Sequence, residues 1–223
     1  MTDPSDDTPD PGLRARKKAR TRTAISDVAT RLFVERGFDA VTVADVAEAA
    51  GVSIKTVFNY FGSKEELFLD RDGAIRDLVV ERIASRAEGE TPTAALGALM
   101  RDNAILDLPG WDAIEGPRRG DFAAFLATWE AAPALQARQL TGNERLAAAL
   151  AVVLAGENPD ASPHAVDAFA AALVAALHLR QRAISAGAIG GVPADEIRAR
   201  AVAIADETMA RAARAFPDLD RPA

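Results

Sequence analysis

The chain contains no cysteine, which excludes disulfides and thiolate metal sites. Aromatic residues make up only 5% of its 223 residues, and the only histidines are His164 and His178. Strands are enriched in aromatic and β-branched residues, so this composition argues against a β-sandwich, while abundant alanine favours closely packed helices. Neither strand-like alternation nor an internal repeat of solenoid length is found. No apolar run reaches the roughly 18 residues that a bilayer span requires. The N-terminus is polar and acidic, without the apolar segment of a secretory signal. The expectation is an all-α, cytoplasmic protein with no membrane association. Catalytic signatures are missing as well: there is no G-x-S-x-G elbow, no G-x-x-x-x-G-K-[ST] loop and no G-x-G-x-x-G after a strand. The two histidines fall on one predicted helix, about 21 Å apart if it is continuous, too far to share a metal ion. No catalytic residue, cofactor or metal site is expected, and an enzyme is not the reading.

Charge is unevenly distributed. The net charge is −7, an unlikely balance for a nucleic-acid binder taken as a whole. Residues 1–12 carry four Asp and no cation, whereas residues 13–64 carry ten Lys/Arg against five Asp/Glu. The remaining residues hold sixteen Lys/Arg and twenty-four Asp/Glu. A basic module on an acidic body is the asymmetry expected when one part meets phosphates and the other does not.

Within the basic module, Thr42 to Lys64 (TVADVAEAAGVSIKTVFNYFGSK) is the informative stretch. Thr42 with Asp45 fits a capping box, and Val41 with Val46 a hydrophobic staple. A helix over Val43 to Ala50 is followed by Gly51, suited to φ > 0, and by Ser53 as the cap of a second helix. Ser63 with Glu66 opens a third. Helix, glycine turn, helix is the layout of a helix-turn-helix unit, whose second helix lies in a DNA major groove. With Ile54, Val57 and Phe61 turned inward, Lys55, Thr56, Asn59 and Tyr60 remain outside, with groups suited to base edges and phosphates. The alternative is a helical hairpin with an ordinary solvated face.

Residues 1–12 are expected to form a disordered acidic tail. Leu13 to Thr23 carries Arg14, Arg16, Lys17, Lys18, Arg20 and Arg22, and reads either as the polar start of a helix or as an arm reaching phosphates or the minor groove. Ile25, Val28, Ala29, Leu32 and Phe33 form an amphipathic stripe ending at Gly37. Residues 13–62 make the DNA-binding domain, and 63–223 the second domain. The pattern predicts one long helix from Lys64 to about Ala87, which would join the two rigidly. Further helices are predicted over about 93–106, 133–155, 163–186 and 193–216, giving about nine in all. Asp107 to Gly120 is Pro/Gly-rich and irregular. Trp111, Phe122, Phe125 and Trp129 suit either core packing or a ligand cavity. Asn103 and His178 join them as candidates by composition and position, although His178 also reads as an interior histidine. The alanine-rich faces of the last two helices suit close approach, in a dense bundle or a subunit interface.

Arg22 to Phe68 resembles the TetR family of bacterial transcriptional regulators. The matching features are the apolar helix ending in Phe33-x-x-x-Gly37, Thr42 before Val43, Ala50-Gly51-Val52-Ser53, the aromatic pair around Asn59, and Phe61-x-Ser63-Lys64-Glu65-x-Leu67. The resemblance implies a homodimer that binds a near-palindromic double-stranded DNA operator. It also implies a C-terminal helical-bundle domain that binds a small-molecule effector and dimerises through its last two long helices. Most such regulators repress, and the effector releases the DNA. By position, Thr42, Tyr60 and Lys64 would contact phosphates, and Ser53, Lys55, Thr56 and Asn59 would face the groove. Two departures stand out. Phe58 replaces a tyrosine that touches phosphate in many members, and Lys55 replaces glycine or a small residue. The competing function is a helical protein-interaction module without sequence-specific DNA binding.

Overall fold

The structure, a computed structural model, describes residues 11–102 and 115–222. The described residues are all-helical and fall into two units, residues 1–70 and 71–223.

The first unit holds α1 (Pro11–Arg36), α2 (Val43–Ala49), α3 (Ile54–Phe58) and α4 (Lys64–Phe68). Helix α1 packs on α2 and α4, and α2 packs on α3. Its buried stripe is Ile25, Ala29, Leu32 and Phe33, at the predicted spacing. Phe33, Phe38 and Phe68 form a triangle with ring centroids 5.0, 5.9 and 6.1 Å apart, within the range of favourable aromatic pairs. The staple residues Val41 and Val46 are buried. Gly37 (φ 85°) and Gly51 (φ 66°) end α1 and make the α2–α3 turn in the left-handed region, where a Cβ is disfavoured.

One expectation narrows to the helical alternative here, and another changes. The basic stretch over residues 13–23 is helical and continuous with α1, because Pro11 fits the first turn and Arg, Lys, Ala and Leu are strong helix formers. The single helix from Lys64 to about Ala87 is instead two, α4 and α5 (Asp72–Ala84), and the first unit runs to Asp70 rather than to residue 62. Leu69 leaves the helical region (φ −103°, ψ 43°), followed by Asp70, Asp72 and Gly73, all poor helix formers. Side chains from α1 take up carbonyls there: Ser26 Oγ donates to Leu67 O at 3.4 Å and Arg22 Nη2 to Asp70 O at 3.4 Å. Of the predicted acidic tail, residues 1–10 lie outside the described residues.

The second unit holds α5, α6 (Pro92–Asp102), α7 (Arg119–Ala131), α8 (Pro133–Glu157), α9 (Pro163–Ile189) and α10 (Ala194–Ala215). Helix α9 is central: it packs on α6, α7, α8 and α10. Small residues set how close the helices come. A Cβ on Gly187 of α9 would meet Ile197 Cγ1 of α10 at 2.7 Å, and one on Gly97 of α6 would meet Met209 Cγ at 3.4 Å. Alanines of α9 and α10, among them Ala170, Ala176, Ala201 and Ala205, are buried inside the unit.

The chain end is tied into this bundle. Asp220 accepts from Thr93 N at 2.9 Å and from Thr93 Oγ1 at 2.6 Å, which satisfies a donor at the start of α6. Arg86, buried just beyond α5, forms a bidentate pair with Glu157 at the end of α8 (2.7 and 2.8 Å) and donates to Ile83 O and Arg221 O. Phe216 stacks on Phe169 at 5.2 Å, and Leu219 is buried. Both tryptophans fall within residues 71–223, so their fluorescence reports on this unit. In urea unfolding followed that way, Asp220→Ala is expected to cost about 1–3 kcal/mol. Asp218→Ala, whose partner Arg221 is an exposed contact at 3.3 Å, should cost less than about 0.5 kcal/mol.

Candidate nucleic-acid interface

Helix α3 is five residues long and is held from both ends. Ser53 Oγ accepts from Thr56 N at 3.0 Å and lies 2.7 Å from Thr56 Oγ1. Val57 and Phe61 are buried beneath it. Beyond its C-terminal end, Arg22 of α1 places its guanidinium 4.3 Å from the Phe61 ring centre and donates from Nη1 to Tyr60 O. Arg22 was expected among the cations of the arm, yet it works as a strut inside the unit.

The outward face of α3 differs from the expected one. Ile54 is 47% exposed rather than turned inward, and Phe58 is 52% exposed. Lys55 and Asn59 are exposed, as expected for groove-facing residues. Thr56 and Tyr60 are only half-buried positions, and the Ser53 and Thr56 hydroxyls are engaged with each other. A five-residue helix starts at its cap, so Ile54 sits at the first turn, where the only core beneath is reached by Val57 and Phe61.

The residues placed at phosphates by position also have structural duties. Thr42 caps α2: its N and Oγ1 both donate to Asp45 Oδ2 (2.7 and 2.6 Å), and Asp45 N donates back at 3.2 Å. The Thr42 bonds hold the Asp45 carboxyl below its ordinary value. Lys64 places its ammonium 4.3 Å from the Phe38 ring centre and 5.8 Å from that of Phe33, a cation–π seat at the start of α4. The Thr42 backbone and the cation on Lys64 remain close to the surface, with Thr42 exposed. Along α1, Arg16, Lys17, Lys18 and Arg20 are all exposed.

With this geometry in hand, the comparisons are specific. Residues 25–70 match the family described as bacterial regulatory proteins, tetR family. Over these residues the chain is similar to TetR-family regulators. The matched residues contain α2, α3 and α4 whole, with the second half of α1. The chain is 34% identical over 145 residues to the HTH-type transcriptional regulator TcmR of Streptomyces glaucescens, covering 65% of this chain and 63% of that protein. Over 88 residues it is 39% identical to the HTH-type transcriptional repressor KstR2 of Rhodococcus jostii (strain RHA1), covering 36% of this chain and 43% of that protein. The chain thus spans less than two thirds of the length of either relative. A solved TetR-family regulator from Streptomyces coelicolor A3 aligns with 86% of this chain and 96% of its own at 23% identity, with a TM-score of 0.49.

The residues singled out for an effector divide. Asn103 and Trp111 lie outside the described residues. Phe122, Phe125 and Trp129 lie on α7, with Phe122 and Trp129 buried, and His178 lies on α9, which packs on α7. Trp129 Nε1 and His178 Nδ1 are buried and meet no hydrogen-bond partner among the described residues. Two further polar residues of α9 were missed: Arg180, 2% exposed, and Ser185, whose buried Oγ has no partner among the described residues. Burial lowers Arg180 to about 10, so it stays cationic at neutral pH. The signal for it was a cation in the apolar run ALVAALHLRQ, which had drawn attention only to the histidine. An open cleft of about 650 Å³ is lined by Glu130 of α7, Leu179 and Arg182 of α9, and Arg200, Glu207 and Arg211 of α10 among others; none of the sequence candidates lines it, although Glu130 and Leu179 are the chain neighbours of Trp129 and His178. No helix among the described residues is long and apolar enough to cross a membrane.

Arg22→Ala should open α3 locally. It is expected to speed amide exchange at Val57 and Phe61 by the equivalent of about 1–2 kcal/mol, whereas Arg20→Ala leaves it unchanged. Equal effects of the two changes would remove the strut. Burial, then Arg182, holds His178 below its ordinary 6.5, with Glu130 opposing. The fold thus favours the neutral imidazole. Its stability contribution is complete above pH 6.5 and declines as pH falls from there toward the folded value. His178→Gln should flatten that part of the melting-temperature profile.

Proposed function

We propose that the chain is a DNA-binding transcriptional regulator, most simply a repressor released by a small effector, acting as a homodimer on a palindromic operator. The single observation that carries this reading is the outward face of α3. It presents Lys55 and Asn59 on a helix-turn-helix unit whose α1 exposes four cations in a row of five residues, Arg16 to Arg20. In a major groove, Lys suits guanine O6 and N7, and Asn suits adenine N6 and N7. Thr42, Tyr60, Lys64 and the cations of α1 supply phosphate contacts that set register without reading sequence. Ser53 and Thr56, tied to each other, shape the helix more than they read bases. The names of the relatives, regulators and repressors of transcription, support the same reading.

The effector site proposed in the second unit lies where α7 meets α9, around Phe122, Phe125, Trp129 and His178, with Asn103 and Trp111 as further candidates. The polar groups there favour a ligand with both apolar surface and hydrogen-bonding groups. Dimerisation is proposed through α9 and α10. The two copies of α3 would then engage half-sites about 34–36 Å apart. An effector releases DNA only by binding the DNA-incompetent state more tightly.

Selection of duplexes from a random pool with the full chain tests the reading against a protein-interaction module. Enrichment of an inverted repeat is expected, and no enrichment would overturn it. On the enriched duplex, Lys55→Ala and Asn59→Ala should each relax preference at one base pair by about 1–3 kcal/mol. Neutralising Arg16, Lys17, Lys18 and Arg20 should instead weaken all sequences alike. It should also flatten the salt dependence by about 0.9 in slope for each phosphate that is no longer neutralised.

A further inference from the structure

Ile54 and Phe58 stand one turn apart on α3 and form a single exposed apolar strip, alongside the Lys55 and Asn59 strip and on the side toward the buried Val57 and Phe61. Neither side chain has a donor or acceptor, so neither contributes a hydrogen bond to a phosphate or a base edge. A lone exposed apolar residue needs no explanation, but a pair of large ones side by side with the polar strip of Lys55 and Asn59 is a different matter. In the major groove, the apolar feature of the base edges is the C5-methyl group of thymine.

We propose that Ile54 and Phe58 together clasp the C5-methyl group of a thymine in each operator half-site, so that sequence choice rests on a methyl group as well as on hydrogen bonds. This rests on the DNA-binding reading above. Charge complementarity favours DNA as the occupant: residues 13–64 hold ten cations against five acids, and α3 itself carries Lys55 and no acid. Two side chains fall far short of the roughly 1,200 Å² of a stable protein interface. The mutual bond of Ser53 and Thr56, at 2.7 Å, occupies one of their two hydroxyl donors. The half-site is expected to combine this thymine with the base pairs read by Lys55 and Asn59.

The test begins with the duplex selected by the full chain, so failure to enrich any duplex counts against the DNA-binding reading itself. On the enriched duplex, each thymine is replaced in turn by deoxyuridine, which removes only the methyl group. Binding of the unaltered protein is expected to weaken about fourfold at one position per half-site, the value of one buried methyl. Ile54→Ala and Phe58→Ala should each bring the thymine-to-uracil ratio at that position close to one, with unchanged melting temperature. Equal binding of thymine and uracil duplexes at every position overturns the inference. So does a ratio that survives both substitutions, even if overall affinity falls.

Discussion

A helix of five residues has no stability of its own, because nucleating a turn fixes several dihedrals for little hydrogen bonding. The outward face of α3 therefore depends on what holds α3 down. Val57 and Phe61 supply the apolar attachment, Ser53 closes the first turn, and Arg22 closes the last by bonding the Tyr60 carbonyl while lying over Phe61. One side chain of α1 thereby links the basic helix to the end of α3. The same guanidinium reaches the Asp70 carbonyl, where α4 has ended. Loss of this strut frays both places together.

This arrangement divides the cations of the first unit into two kinds. Arg22 and Lys64 sit against Phe61 and Phe38, where the charge is partly spent on aromatic faces. Arg16, Lys17, Lys18, Arg20 and Lys55 extend into solvent. A count of positive residues overstates the charge free to meet phosphates, and the freely extended side chains lie mainly along α1. Because that stretch is helical, its cations project at about 100° intervals around an axis. They cannot all face one strand of a duplex, which an extended arm would allow.

Much of the first unit was readable from local chemistry. The capping box at Thr42, the staple of Val41 and Val46, the left-handed glycines and the Ser63 cap depend on neighbours within a few residues, and sequence carries those directly. The direction of Ile54 was misread because helical spacing was extended to a first residue that precedes the buried turn. The break after Phe68 was missed because apolar positions at 67, 68, 75, 78 and 79 keep a helical period across it. The side chains that satisfy its carbonyls, Arg22 and Ser26, lie more than forty positions from the residues they serve, 48 and 41 respectively. The tie from Asp220 to Thr93 spans 127 positions and left no local mark at all.

The second unit poses the reverse problem. Its packing is apolar and close, yet α9 places His178, Arg180 and Ser185 within two turns. A buried polar atom without a partner costs about 1–3 kcal/mol, and His178 Nδ1 and Ser185 Oγ on α9 meet none among the described residues. The open cleft is lined by charged side chains that water already solvates, among them the Arg211–Glu207 pair at 2.8 Å, so a ligand gains little there by replacing water. Trp129 Nε1 and His178 Nδ1, which meet no partner among the described residues, belong to the chain neighbours of its lining residues Glu130 and Leu179.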